Sequence, residues 1–315
     1  MRRAGHSGLH VSELGLGTLT WGRDTDSAEA QEMLNHFLEA GGNLVDIAPT
    51  HGDGLAIDVV GTVTQNVNRN RLVIALRGGG RIHTDGTVVP SEARGDLLTT
   101  LDDTLKRLNT EFIDLWLVGP DRVPLEESLD AIDVALATGR VRYAGVSHRG
   151  MWDSASAVTL GQTRIHSPIT MFEERLSLLA LDSAPLIRQA LDSGIGVLAH
   201  SPLAGGVLTG KYRHSTPPDS RAASPHLRYL VEPWMTSEAL HVVEALVRAA
   251  QGLDRTPMDV ALTWVKDTPG ITSAIIGPRT TKQLDLLVDG GDPLPTTIRQ
   301  VLTEVAAQHA GLSRV

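Results

Sequence analysis

Residues 46–61 read Asp46-Ile47-Ala48-Pro49-Thr50-His51-Gly52-Asp53-Gly54-Leu55-Ala56-Ile57-Asp58-Val59-Val60-Gly61. The apolar run 43–48 carries one acid near its end and then breaks into a segment of His, Gly and Asp. Comparable runs recur at 14–19, 71–77, 113–119, 141–147, 168–173, 196–200 and 271–277. They are short and apolar throughout rather than alternating, which suits strands buried on both faces of a parallel sheet. Between them, stretches such as 27–40, 92–108, 126–137, 184–193 and 237–250 show helical spacing of their apolar residues. Eight strand–helix units in 315 residues predict an α/β fold, a closed (β/α)8 TIM barrel rather than an open doubly wound sheet. Two local details agree. Gly15-Leu16-Gly17-Thr18 lacks the third glycine and the helix of a dinucleotide turn, and no Lys-Ser/Thr follows Gly78-Gly79-Gly80, which reads as a turn or flexible loop. No linker divides the chain, so residues 1–315 are expected to form one domain. The longest irregular stretch, 213–233, has the length of a functional lid or a disordered segment.

Composition narrows the function classes. The chain is 41% hydrophobic and 21% charged, an ordinary globular balance, with only 3% aromatics, so Leu, Val, Ile and Ala must fill the core. A net charge of -9 and a pI near 5.7 argue against a nucleic-acid or anionic-membrane partner. No apolar run is long enough to span a bilayer, and the N-terminus lacks a signal-peptide segment. The absence of Cys excludes disulfides and thiolate chemistry and fits a cytoplasmic location. Composition says nothing of the oligomeric state.

The stretch 46–61 closely resembles the active-site signature of the aldo-keto reductases, D-T-A-x-x-Y-G-x-G-x-S-E-x-x-L-G. Asp46, Ala48 and three glycines are in place, and His51 stands where that family has its proton-donating tyrosine. The likeness covers nearly the whole chain. Residues 7–18 resemble the family's opening hairpin and first strand, and Gly145-Val146-Ser147 its G-V-S-N. The most specific match is Ser201-Pro202-Leu203-Ala204-Gly205-Gly206-Val207-Leu208-Thr209-Gly210-Lys211-Tyr212, against S-P-L-A-x-G-x-L-T-G-K-Y. Ile276-Gly277-Pro278-Arg279 through Gln283-Leu284 resembles the segment that holds the adenosine end of NADPH.

The resemblance implies a barrel sealed at the bottom by an N-terminal β-hairpin and followed by one or two extra C-terminal helices. It also implies an NADP cofactor, NADPH in preference to NADH, and a small-molecule substrate. Gly17, Thr18, Ser147, His148, His200 and Ser201 fall at cofactor-binding positions. Leu203, Gly205 and Lys211 do so in the glycine-containing loop, as do Gly277, Arg279 and Gln283 near the end of the barrel. Turn amides and Lys211 suit a diphosphate, and the Arg279 fork suits a 2′-phosphate.

The departures gather at the reacting centre. The family surrounds the substrate carbonyl with Asp, Tyr, Lys and His; the matching positions here hold Asp46, His51, Arg77 and Gly119. His148 replaces a carboxamide-binding Asn, His200 an aromatic that stacks on the ring, and Glu173 a Gln. Leu286-Leu287 stand where the family contacts adenine with Glu-Asn. Imidazole titrates near neutrality and can donate a proton, whereas Arg77 keeps a charge but cannot share its proton. Arg77 pushes His51 toward the neutral form and Asp46 favours the cation, so the sign of the net shift stays open at this level.

The sequence therefore points to an atypical member of the family that binds NADP(H). It is expected to perform a non-standard redox step on a small carbonyl or enone, with His51 as acid and Asp46 and Arg77 tuning it. One alternative is a non-redox lyase, dehydratase or isomerase using the histidines and Asp46 at the barrel mouth. Another is a catalytically inactive cofactor-sensing or partner-binding protein. His51, His148 and His200 with Asp46 and Glu173 would make a credible metal shell, but no H-x-H or H-E-x-x-H spacing supports one, and no metal is expected.

Overall fold

In a computed structural model, which describes residues 1–120 and 123–310, eight parallel strands close into a barrel. A short antiparallel hairpin of β1 (Arg2–Arg3) and β2 (His10–Val11) comes first. Then follow β3 (Leu14–Gly17), α1 (Ser27–Glu39), β4 (Leu44–Ile47), α2 (Ala56–Thr64) and β5 (Val73–Arg77). A second hairpin, β6 (Gly80–Ile82) with β7 (Val88–Pro90), leads into α3 (Arg94–Leu108) and β8 (Ile113–Val118). The chain continues through α4 (Leu125–Ala137), β9 (Val141–Ser147), α5 (Gly150–Gln162), β10 (Ile169–Arg175), α6 (Ala184–Asp192) and β11 (Gly196–His200). After α7 (Ser237–Gly252) and α8 (Pro257–Lys266) come β12 (Ile271–Ile276), α9 (Thr281–Val288) and α10 (Thr296–His309). Around the barrel the order is β3-β4-β5-β8-β9-β10-β11-β12, with β12 pairing back to β3.

The predicted barrel, hairpin and strands are therefore present. The glycine run differs in one respect. Gly78 takes a positive φ as a turn residue does, but Gly80 opens β6, in register with Pro90. Several helices begin at side-chain caps: Asp26 accepts from Glu29 N at 2.9 Å, and Thr236 and Thr256 do the same for α7 and α8. Each such cap is worth about 1 kcal/mol. Among the described residues no helix is long and apolar enough to cross a membrane.

Two apolar layers result from strand alternation. Val45, Ile47, Ile74, Leu76, Trp116 and Phe172 point outward and pack beneath the helices. Leu44, Val73, Ala75, Leu115, Met171 and Leu198 point inward and fill the barrel. Ala4, Leu9 and Val11 of the hairpin join that interior cluster and close its N-terminal end. The hairpin turn fits only because Gly5, at φ +54°, lacks a Cβ, which would come within 2.2 Å of the Gly194 carbonyl. The floor is thus closed by side chains, and the C-terminal mouth remains for chemistry.

Candidate active site

The same alternation carries five polar side chains to the mouth. Inward residues run Leu44 then Asp46, Ala75 then Arg77, Gly145 then Ser147, Met171 then Glu173, and Leu198 then His200. Neighbouring strands hold them in register: Asp46 pairs with Gly17 and Ala75, and Glu173 with Ser147.

Arg77 sits between two carboxylates. Its Nη2 donates to Asp46 Oδ2 at 2.9 Å, and its Nε lies 2.9 Å from Oδ1. Its Nη1 lies 3.1 Å from Glu173 Oε1, while Glu173 Oε2 accepts from the Ser147 hydroxyl at 2.7 Å. Asp46 and Glu173 are 1% and 0% exposed. A pair of carboxylates so far from water survives only with such partners.

His51 completes the cluster. It follows β4 on a turn in which His51 N donates to Ala48 O and Gly52 N to Leu19 O. Gly52 is required there: at φ +57°, a Cβ would come within 1.8 Å of the Trp21 carbonyl. Arg77 Nη2 donates to His51 Nε2 at 2.8 Å, and because a guanidinium has no lone pair to offer, Nε2 is the acceptor. The Thr18 hydroxyl donates to the Asp46 carbonyl at 3.0 Å, leaving its oxygen to accept from His51 Nδ1, also at 3.0 Å. The imidazole is thus held neutral, with its proton on Nδ1.

The electrostatics agree with this geometry. Burial, reinforced by Arg77, lowers the His51 pKa well below its usual value. This fixes the sign that the sequence left open. Burial pushes Asp46 up to about 7, against the pull of Arg77 and with added repulsion from Glu173. Burial opposes the Arg77 charge, but Asp46 and Glu173 outweigh it and hold that pKa above the ordinary arginine value.

His148 and His200 lie beside this cluster, their rings edge to face at 4.4 Å. His148 and Ser201 both take a positive φ at the ends of their strands, a conformation uncommon outside glycine. His200 Nδ1 contacts the Ser201 hydroxyl at 2.9 Å, whereas its buried Nε2 has no hydrogen-bond partner among the described residues. Burial, then the neighbouring His148 and Arg77, keep His200 well below its usual pKa.

The far side of the mouth has a different character. Beyond β11 the chain turns through Leu203 into a tight 204–209 segment in which Gly205 and Gly206 take φ of 67° and 100°. A Cβ on Gly206 would stand 3.3 Å from Lys211 Nζ. Arg221 and Arg279 converge on the same region. Partial desolvation and both guanidiniums lower the Lys211 pKa; burial and Arg279 lower that of Arg221. Arg221 donates to the Gly277 carbonyl, Arg279 donates to the Asp219 carbonyl, and Gln283 Oε1 accepts from Arg279 N. Among the described residues no carboxylate forms an ion pair with any of the three cations. The 213–233 stretch crosses this end as three short helical turns and is tied to the β3–α1 loop by His226 Nε2 and Asp24 Oδ1 at 2.6 Å.

Sequence reasoning missed two residues here. Arg221 lies in an irregular loop with no periodic signal. Glu92 is buried before α3, and its Oε1 stands 3.2 Å from where a Cβ on Gly119 would be. The space opened by Gly119 is therefore taken by a carboxylate.

A barrel with this mouth agrees with sequence comparison: the profile described as the Aldo/keto reductase family matches residues 13–293. The chain belongs to the aldo/keto reductase family. It is similar to an uncharacterized oxidoreductase, YrpG, of Bacillus subtilis (strain 168), at 30% identity over 89% of this chain and 87% of that protein. It is also similar to protein tas of Escherichia coli (strain K12), 29% identical over 98% of this chain and 96% of the relative. A probable voltage-gated potassium channel subunit beta of Arabidopsis thaliana is 28% identical over 96% of this chain and 94% of its own length.

Proposed function

We propose that this aldo/keto reductase binds NADP(H) across the barrel mouth, NADPH in preference to NADH, and acts on a small carbonyl or enone by a non-standard redox step. The observation that carries this reading is the group Lys211, Arg221 and Arg279, three cations brought together without a carboxylate partner among the described residues. Mutual repulsion makes such a group costly unless an anion joins it. Lys211 and the amides of the 203–206 turn suit the diphosphate, and Arg279 with Arg221 suits the 2′-phosphate. Ser147, His148, His200 and Ser201 would border the nicotinamide, with the unpartnered His200 Nε2 available to it. Gly17 and Thr18 line the adjoining strand, and Gly277 and Gln283 order the Arg279 segment. The dinucleotide would supply a hydride.

At the reacting end the chain's own groups behave differently from a Tyr–Lys–His set. His51 Nε2 is an acceptor for Arg77, so proton donation from that atom requires Arg77 to release it. Asp46, titrating at about 7, is the group of the cluster placed to exchange a proton near neutrality. A cytoplasmic location belongs to the same proposal and rests on the cysteine-free composition.

A fluorescence or calorimetric titration tests the reading. NADPH is expected to bind at least about tenfold more tightly than NADH, in line with the ~1.5–3 kcal/mol of a charge-assisted hydrogen bond. Equal affinities, or no binding of either at millimolar concentration, would overturn it. The internally paired Asp46–Arg77–Glu173 cluster favours a second reading, a cofactor-sensing protein without turnover. Tight NADPH binding without reduction of any aldehyde, quinone or enone would select that reading.

A further inference from the structure

The buried cluster beneath His148 and His200 does not balance its charge. Asp46 and Glu173 supply two carboxylates, Arg77 one guanidinium, and His51 and His200 are held neutral. With both acids ionised, one negative charge is left over in a region almost closed to water. Glu173 places it toward the ring end of the mouth. Its carboxylate is bonded to Ser147, its backbone carbonyl accepts from His148 N at 3.1 Å, and its strand neighbours Leu198, two residues before His200.

An oxidised nicotinamide ring carries a positive charge, and the reduced ring carries none. We infer that Glu173 sets the redox-state preference of the site, so that the protein takes NADP+ in preference to NADPH. The inference rests on the NADP(H) reading above and adds to it which form is held. A neutral Gln at this position would leave the cluster balanced and the two forms undistinguished. A unit charge bordering a bound ring would, at the effective dielectric of a protein site, discriminate by about tenfold or more.

The excess charge also depends on pH. Asp46, pushed up to about 7 by burial, takes up a proton as the pH falls and cancels it. The groups facing this point are His51 beside β4, Arg77 on β5, His148 at the end of β9, Glu173 on β10 and His200 on β11. Glu174 Oε2 lies 3.7 Å from His148 Nδ1, the Arg175 charge acts on His200, and Glu92 lies beside Gly78 and Gly119. The preference for NADP+ should therefore grow as the pH rises through about 7 and shrink below it.

The test is calorimetric titration of the purified protein with NADP+ and with NADPH at pH 6 and pH 8, for the wild type and Glu173→Gln. The expected result at pH 8 is NADP+ bound about tenfold more tightly by the wild type, with the ratio falling toward one in Glu173→Gln. In the wild type alone the ratio should also fall between pH 8 and pH 6, a readout that holds even if the variant does not fold. Equal or tighter binding of NADPH by the wild type at pH 8 would overturn the inference and leave the cofactor reading standing. Failure to bind either form would overturn both.

Discussion

The two ends of the barrel mouth handle charge in opposite ways. At the reacting end, Asp46, Arg77, Glu173, Ser147, His51 and Thr18 join in one closed network. At the far end, Lys211, Arg221 and Arg279 repel one another; the two arginines lean on backbone carbonyls and Lys211 on the Tyr212 ring. A network whose buried carboxylates share one guanidinium is expected to hold the strands together, and removal of that cation should be felt as lost stability. A cationic cluster without an ion-paired carboxylate among the described residues is proposed as a binding site, and its removal should be felt as lost affinity.

The sharpest way to break this contrast is Arg77→Met. It leaves two buried carboxylates without their cation, and a loss of about 3–5 kcal/mol is expected in chemical denaturation. Lys211→Met should stay within about 0.5 kcal/mol of the wild type. A small effect of Arg77→Met would mean that the network is not structural. Next in size is catalysis. Simple aldehydes and quinones should be reduced about 10²–10³-fold more slowly than a preorganised donor set allows, because Arg77 and His51 are committed to each other. Steady-state turnover of several per second, on the order of a typical enzyme, would show that the pair opens readily.

Gly119→His probes the border of the network. The new Cβ would meet Glu92 Oε1 at 3.2 Å, so a cost of about 1–3 kcal/mol is expected in a denaturation curve. An unchanged midpoint would show that Glu92 swings aside freely. The pH dependence of stability is the gentlest probe. His51 and His200 are held below their usual pKa of 6.5, so their contribution is complete above that pH and is lost as the pH falls below it. Asp46, raised from 3.8 to about 7, acts oppositely, its contribution being lost as the pH rises through that window. Two imidazoles against one carboxyl leave a net decline in stability as the pH falls below 6.5. His200→Asn should flatten it; an unchanged slope would mean that His200 is charged in the folded protein.

The fold was legible because the barrel strands are short, apolar and regularly spaced, and every one appeared within a residue or two of its predicted place. Asp46, Arg77 and Glu173 could be placed at the mouth because each lies near the C-terminal end of a strand and matches a site position of the family. What Arg77 chooses among Asp46, Glu173 and His51 could not be read, since those partners come from three separate segments and meet only on barrel closure. Arg221 and Glu92 were missed for a related reason: both reach the mouth from segments outside the barrel strands, where no period announces direction. α5, rich in Ser, Ala and Gly, likewise offered no apolar stripe to read.

On the proposal above, the cationic end binds the dinucleotide and the reacting end holds the fold. Calorimetric titration of NADPH into wild type and Arg279→Met, with denaturation midpoints measured on the same samples, tests it most directly. The predicted result is an affinity about tenfold or more weaker in Arg279→Met at an unchanged midpoint, consistent with the loss of a charge-assisted contact. Equal affinity in the two proteins, or a weaker affinity accompanied by a large loss of stability, would contradict it.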